Sequence, residues 1–488
     1  MKDQPRSSFA PTILTIFGAT GDLSANYLLP ALYHMDTEGL LPSDFRLVCV
    51  GRRPFNKRSF LDFIAKKSKI LKPLKKSKNR DRFLSHLSYY RGDFEQPLSF
   101  QKLKLLLDDR RGGKHRCHNR LYYFATSPEF FSPIAAILRG SGLLAACVRH
   151  QRSTRILVEK PFGFDYPSAR KLNRELLRYF PEKQIYRIDH YLAKETVQNL
   201  MVVRFANAIF EPLWNKDFID HVEISAFYDD RVGGRAAFYD RTGALRDVVQ
   251  NHLLQILSLI TMEEPRELLT EYIRNAKVRI LRSLQKYKPS GVRGSVVRGQ
   301  YRGYLREIGH SSAAETFVAL KLFLNLPRWR GVPFYLRTGK GLSRKVTEVT
   351  VHFKELPRCL FAGCAGNVMV FRIQPDESVE LRINNKVPGF GIRLHQAKLK
   401  FGYDSVFTKH IPSAYERLLL DFFQGDQRLF IRSDEIEAAW RFIDSVRRSW
   451  RKSPLFSYPA GSNGPTQASA MMERDGREWW TGVDKVVK

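Results

Sequence analysis

Residues 12–23 read TILTIFGATGDL. Thr12 to Phe17 is an apolar, β-branched run of strand length, and it passes straight into Gly18-Ala19-Thr20-Gly21-Asp22-Leu23. Leu23, Leu28, Leu29 and Leu32 then recur at helical spacing. Strand, glycine turn and helix in that order open a doubly wound sheet. In such a turn Gly18 and Gly21 let backbone N–H groups approach a pyrophosphate, and the helix start that follows favours negative charge. A third glycine is absent, with Ser24 near its place, so the turn alone does not separate a nucleotide site from an ordinary tight turn.

Further runs at Phe45–Val50, Leu121–Ala125 and Ile156–Val158 read as buried strands separated by helical segments, which predicts a parallel sheet. The first of these, the second strand of the chain, runs into Gly51-Arg52-Arg53, where an NAD enzyme would offer an acid to the ribose hydroxyls. A guanidinium there can bond a 2′-phosphate bidentately, and Thr20 can add a hydroxyl, so NADP is expected. The competing reading has Arg52 simply beginning a basic helix.

A chain of 488 residues exceeds one hydrophobic core, and two domains are expected, 1–188 and 189–488. Past residue 190, helical stretches at Lys194–Phe210 and Ala244–Met262 precede β-rich segments at Phe317–Leu324, Glu348–Phe353, Val368–Ile373 and Ser378–Ile383. That change predicts an α+β second domain. Ser453–Pro465, rich in Pro, Gly and Ser, reads as an irregular surface segment.

The apolar runs are too short or too polar for a membrane span, the N-terminus is unlike a cleavable signal, and a cytoplasmic location is expected. Five cysteines (Cys49, Cys117, Cys147, Cys359 and Cys364) show no CxxC pair and read as free thiols. The formal charge is +32, concentrated in Arg52–Arg80 and Arg274–Arg306. KKSKILKPLKKSK in the first run has few aromatics, which fits a solvated basic helix better than a platform for single-stranded nucleic acid.

Residues 187–195, RIDHYLAKE, crowd ionisable groups together: Asp189 can orient a base, and His190 and Lys194, four apart on a helix, would share a face. RDVVQNHLLQ adds Asp247 and His252. Lys160 in VEKPFG and Lys340 with Lys345 in LRTGKGLSRK supply cations able to converge on a phosphorylated, polyhydroxylated ligand.

With FGATGDL, VEKPFG, QIYRIDHYLAKETVQNLMVVRFAN, RDVVQNHLLQ, VPFYLRTGK, RIQPDE and AYERLLLDFFQGDQRLFIRSDE, the chain resembles the glucose-6-phosphate dehydrogenase family from about residue 12 to 480. The resemblance implies a Rossmann-like doubly wound domain followed by a larger α+β domain on a mainly antiparallel sheet. It implies oxidation of glucose 6-phosphate to 6-phosphogluconolactone with reduction of NADP, His252 as the general base and Asp189 as its paired carboxylate. His190, Tyr191 and Lys194 match the substrate phosphate site, Lys340 and Lys345 further substrate contacts, and Glu223, Asp247 and Gln374 groups that hold sugar hydroxyls or order the pocket. Lys160 falls between substrate and cofactor.

Gly18, Ala19, Thr20, Gly21, Asp22 and Leu23 match the fingerprint turn, Arg52 the adenosine phosphate contact and Asp93 a position near the nucleotide. A homodimer or homotetramer is implied, with no metal site and no nucleic-acid or membrane partner. The chain departs from the family where basic residues usually follow GDL, having Ser24, Ala25, Asn26 and Tyr27 instead, and Ala193 stands in the usual GKE. Two alternatives remain: a dehydrogenase for another hexose phosphate or free glucose, and, from the +32 charge, a nucleic-acid-binding protein on a dehydrogenase scaffold.

Overall fold

Every residue of Thr12–Phe17 is buried, so that strand has to be covered on both faces, as a central strand of a parallel sheet is. The computed structural model, which describes residues 9–42, 44–68, 78–108, 118–144, 153–287, 294–406, 411–450 and 453–482, meets this requirement. The strands in chain order are β1 (Thr12–Phe17), β2 (Phe45–Gly51), β3 (Leu87–Arg91), β4 (Asn119–Phe124), β5 (Thr154–Val158), β6 (Ile185–Ile188), β7 (Ile219–Phe227) and β8 (Val296–Tyr301). They continue with β9 (Phe317–Leu322), β10 (Phe334–Gly339), β11 (Val346–Phe353), β12 (Val368–Gln374), β13 (Ser378–Lys386), β14 (Leu394–Gly402), β15 (Phe430–Ile431) and β16 (Leu455–Tyr458).

The first sheet has seven strands in the order β15-β6-β5-β4-β1-β2-β3, parallel throughout except for β15. Strand order reverses between β1 and β4, and the crevice beyond the carboxyl ends of those strands is where a doubly wound sheet holds its ligand. The second sheet has nine strands, β14-β13-β12-β11-β7-β10-β9-β8-β16, antiparallel apart from the pairs β10–β7 and β16–β8. The expected two-part architecture is therefore present.

The first sheet is finished by residues from the far end of the chain. β15 pairs with β6, and Tyr186 packs edge-on against Phe422 and Phe430. Asn173 Nδ2 bonds Ser433 O, and Trp440 Nε1 donates to Phe162 O from the helix Ser433–Ser449. A cut at residue 188 thus falls at the end of β6, but the layer it closes is completed by residues beyond 410.

One expectation about the fold is corrected. Ser453–Pro465 is not wholly irregular, because Leu455–Tyr458 pairs with β8 as an edge strand. Arg274 and Lys277 in the second basic run, to which the sequence reading assigned no role, are buried: Arg274 donates to Phe430 O and Gln427 Oε1, and Lys277 pairs with Glu435 at 2.9 Å, so they fasten β15. Residues 69–77 and 288–293 of the basic runs, with Cys117 and Cys147, lie outside the described residues. Cys49 is a free, buried thiol, and Cys359 and Cys364 lie across a loop that brings their Cα atoms to 6.3 Å. Among the described residues no helix is long and apolar enough to cross a membrane.

Candidate active site

The turn after β1 is shaped by a close backbone approach. Gly18 has φ +86°, and a Cβ there would lie 2.3 Å from Ala125 O beyond β4, so only glycine fits. The N–H groups of Gly18 and Ala19 both donate to Val50 O, at 3.0 and 3.1 Å, and Gly21 N donates to Gly18 O at 3.0 Å, which closes the turn below the first helix. Leu23 packs partly buried on the core.

The cation missing after Leu23 comes from elsewhere. Lys67, the last residue of the helix Lys57–Lys67, donates to Thr20 O at 3.0 Å and pairs with Asp22 at 2.9 Å. Sequence reasoning placed Lys67 only in a basic run; nothing there marked it as a partner of the turn. Arg52 is exposed just past β2, its guanidinium 6.0 and 5.5 Å from the ring centroids of Phe94 and Phe130, a flat platform beside the crevice. Asp93, two residues past β3, is also exposed, and its Oδ1 accepts from Glu95 N–H. Gly18 is taken up by the approach to Ala125, so it is the closed turn at the start of the first helix and the exposed guanidinium of Arg52 that fit a phosphorylated dinucleotide.

RIDHYLAKE is not a helix. Arg187 and Ile188 end β6, residues 189–194 form a turn, and the helix begins at Glu195, so His190 and Lys194 do not share a helical face. The turn is folded by Asp189, whose Oδ1 accepts Tyr191 N–H at 2.9 Å and whose backbone O accepts Leu192 N–H at 3.1 Å. His252 reaches the same oxygen: its Nδ1 donates to Asp189 Oδ1 over 2.6 Å.

His252 arrives from a π-helical stretch, Leu245–Leu253. The break before it is set by Gly243 at φ +65°, where a Cβ would meet Glu315 Oε1 at 2.3 Å; that carboxylate accepts Leu245 N–H at 3.0 Å. A π-helix bonds residues five apart along the backbone, which brings Asp247 and His252 toward one side of the turn, and such turns recur at functional sites.

Charge follows geometry. Burial alone would raise the Asp189 carboxyl, but the bonded His252 imidazole outweighs it and holds Asp189 at about 2. Burial, then the nearby His252, push His190 down to about 3, which makes it neutral near pH 7. Asp247 would also be raised by burial, yet Lys160, donating to its Oδ1 at 2.8 Å, brings it to about 2. Burial lowers the Lys194 ammonium, opposed by Glu377 and helped by Lys345.

Most of the sequence-predicted residues converge. The His190 ring lies 4.7 Å from that of His252, and the Tyr191 ring stacks on His252 at 4.3 Å. Lys194 Nζ donates to Gln374 Oε1 at 2.8 Å, and Lys345 is exposed beside it. Lys340 Nζ pairs with Asp230 at 2.8 Å and stands 4.2 Å over the ring of Tyr228. Lys160 links the carboxyl end of β5 to Asp247.

Glu223 does not join them. β7 pairs Ala226 with Thr347, whose hydroxyl lies 3.4 Å from Tyr191 Oη, so beyond the bulge at Asp220 the even-numbered residues Val222, Ile224 and Ala226 face the dyad side. Glu223 is odd and points to the opposite face, where it accepts from Trp480 N and contacts His352. Tyr228, missed by the sequence reading, occupies the dyad face instead, its Oη 2.8 Å from Tyr191 Oη. A tyrosine ending an apolar strand carries no signal of this role.

Residues 15–199 match the family model "Glucose-6-phosphate dehydrogenase, NAD binding domain", and residues 201–480 match "Glucose-6-phosphate dehydrogenase, C-terminal domain". The chain is 42% identical over 495 residues to a glucose-6-phosphate 1-dehydrogenase of Chlamydia pneumoniae, covering 96% of each. It is 42% identical to that of Rhizobium meliloti, covering 96% of this chain and 97% of that protein. Among solved structures, a glucose-6-phosphate dehydrogenase in complex with glucose 6-phosphate superposes with TM-score 0.90 at 30% identity, covering 97% of this chain and 100% of that one. The enzyme from Mycobacterium avium superposes with TM-score 0.83 at 34% identity, covering 96% and 99%.

Proposed function

The chain belongs to the glucose-6-phosphate dehydrogenase family, and from that membership we propose that Asp189 and His252 carry its chemistry. The reaction is oxidation of D-glucose 6-phosphate to 6-phospho-D-glucono-1,5-lactone with reduction of NADP, the entry to the oxidative pentose phosphate pathway. NADP, when bound, supplies the nicotinamide that accepts a hydride.

The observation that carries the assignment is the 2.6 Å bond from His252 Nδ1 to Asp189 Oδ1. It occupies Nδ1 as the donor, which leaves Nε2 with the lone pair able to take the proton from the C1 hydroxyl. Asp189, ionised through the working pH range, then stabilises the imidazolium. His190, Tyr191, Lys194 and Lys345 supply donors and charge for the sugar phosphate, with Tyr228, Lys340, Gln374 and Asp247 ordering the pocket. Lys160 holds Asp247 at the seam with the nucleotide crevice. For the nucleotide, Gly18 to Leu23 would hold the pyrophosphate and Arg52 the adenosine phosphate; Lys67 fixes the turn, and Asp93 stands at its edge.

Replacing His252 with Asn and following NADPH absorbance tests the base. Turnover should fall by roughly 10²–10⁴, and unchanged turnover overturns the assignment. Copies of the chain are proposed to associate along β12 to β14, where Val202 and Leu399 expose apolar surface; light scattering at the mass of one chain would count against this.

A further inference from the structure

A second histidine–carboxylate cluster lies on the face of the large sheet turned away from the dyad. His221 and Glu223 sit two apart on β7, and β11 brings His352 directly opposite His221. One ligand atom from each residue lies within 4.8 Å of the others. His352 Nε2 is 2.9 Å and His221 Nε2 3.6 Å from the same oxygen, Glu223 Oε1. Two donors each about 2 Å from one ion stand no more than about 4 Å apart, so both distances suit a shared ion.

Two features make this more than an incidental packing of polar groups. His221 Nδ1 is engaged at 2.6 Å by Asp220 Oδ2, itself gripped by Arg477 at 2.7 and 2.8 Å. A carboxylate on one ring nitrogen directs the lone pair of the other toward the cluster, the orienting arrangement common behind metal-bound histidines. That other nitrogen, His221 Nε2, is out of solvent and has no hydrogen-bond partner, although His221 is only 5% exposed. At 3.6 Å from Glu223 Oε1 this buried nitrogen is in ion-pair range but makes no hydrogen bond, a shortfall that a bound ion would make good.

We propose that His221 Nε2, His352 Nε2 and Glu223 bind a divalent transition metal of the zinc class. Two imidazoles with one carboxylate form a borderline donor set suited to zinc and leave a fourth position for water. The two rings are parallel, 4.0 Å apart, and an ion must lie in the plane of each, so one ring turns on binding. His352, with 17% of its side chain exposed, has the room to do so. Glu223 also accepts Trp480 N–H at 3.0 Å, and Arg477 holds Asp220, so the ion would fasten residues 475–481 to the back of the sheet. Its role is structural, and it takes no part in the reaction.

Untagged full-length protein, stripped with a chelator, incubated with zinc and desalted, should retain about one zinc per chain by atomic emission. Cobalt in its place should give the strong visible absorption of a low-coordinate site. His352→Gln and His221→Gln should each retain under about a tenth of that metal while keeping the wild-type kcat and KM for glucose 6-phosphate, which also shows that they fold. Wild-type protein that retains no zinc overturns the proposal, and so does His352→Gln protein that retains as much as wild type. Because turnover is read separately, failure here leaves the assignment of Asp189 and His252 untouched.

Discussion

The two faces of β7 carry nearly the same pair. In front, His252 Nδ1 meets Asp189 at 2.6 Å; behind, His221 Nδ1 meets Asp220 at 2.6 Å. What surrounds them differs. The front pair is ringed by lysines whose ends reach the cleft, Lys160, Lys194, Lys340 and Lys345, whereas the back pair is sealed by Arg477 and Trp480 of its own chain. A histidine–carboxylate bond fixes a tautomer in both places. Only where the second ring nitrogen opens on a site with room and charge for a ligand does it become a base.

Exchange of the two aspartates is the hardest test of that distinction. Asp189→Asn removes the negative charge that stabilises the imidazolium of His252 and lets an amide N–H donate to Nδ1, which fixes the wrong tautomer, so kcat should drop by roughly 10²–10⁴. Asp220→Asn should leave kcat within about twofold and instead lower the unfolding midpoint, because a hydrogen bond to a charged partner contributes about 1.5–3 kcal/mol. Steady-state kinetics and urea melts on both proteins separate the cases, and an equal loss of turnover from the two would erase the difference between the faces.

The cation beside the nucleotide crevice is likewise predicted to serve a ligand rather than the fold. Arg52→Ala should therefore raise KM for NADP by roughly 10- to 100-fold, the loss of a charge-assisted contact, with little change for NAD and none in thermal stability. A matched rise for both cofactors would mean that Arg52 shapes the crevice and does not read the 2′-phosphate.

How far sequence reached also divides along these faces. The turn after β1, the central strands and the pairing of Asp189 with His252 were legible, because local pattern and long motifs constrain them. RIDHYLAKE was misread as a helix since its spacing suits one; the competing order is set by Asp189 capping its own turn at Tyr191 and Leu192. Glu223 failed for a different reason. A strand residue's face depends on register with a distant partner, here β11, and motif matching carries no parity. Lys67 and the late strand β15 were illegible for the same cause: both act across long separations, 47 residues from Lys67 to Thr20 and over 240 from β15 to β6.

The pH response offers a smaller test. His190, driven down to about 3 by burial and by His252 against the opposing pull of Asp189, is neutral in the folded chain and protonates near 6.5 when unfolded. Its depressed value therefore contributes stability that is present above pH 6.5 and lost as pH falls from there toward 3. Lys160 and Lys194 add to the repulsion of a proton on this ring. Between pH 6.5 and 5.5 wild type should lose about 1 kcal/mol more than His190→Asn in urea unfolding. Equal losses would mean the imidazole is solvated enough to charge in place.

Tyr228 gives the smallest effect and the finest distinction. Its hydroxyl bonds Tyr191 Oη at 2.8 Å, and Tyr191 in turn stacks on the His252 ring, so Tyr228 touches the base only through a neighbour. Lys340 rests 4.2 Å over the same ring and is tied to Asp230. Deleting one neutral hydroxyl removes about 0.5–1.5 kcal/mol, and if that energy orders the substrate pocket, Tyr228→Phe should raise KM for glucose 6-phosphate by roughly 2- to 10-fold and leave kcat nearly unchanged. A fall in kcat with KM constant would place Tyr228 in the hydrogen-bonded path to the base, and Tyr191→Phe should then reproduce it. A rise in KM confined to Tyr228→Phe would make the hydroxyl itself a substrate contact, which puts the front face's selectivity in a residue that no charge pattern in the sequence marks.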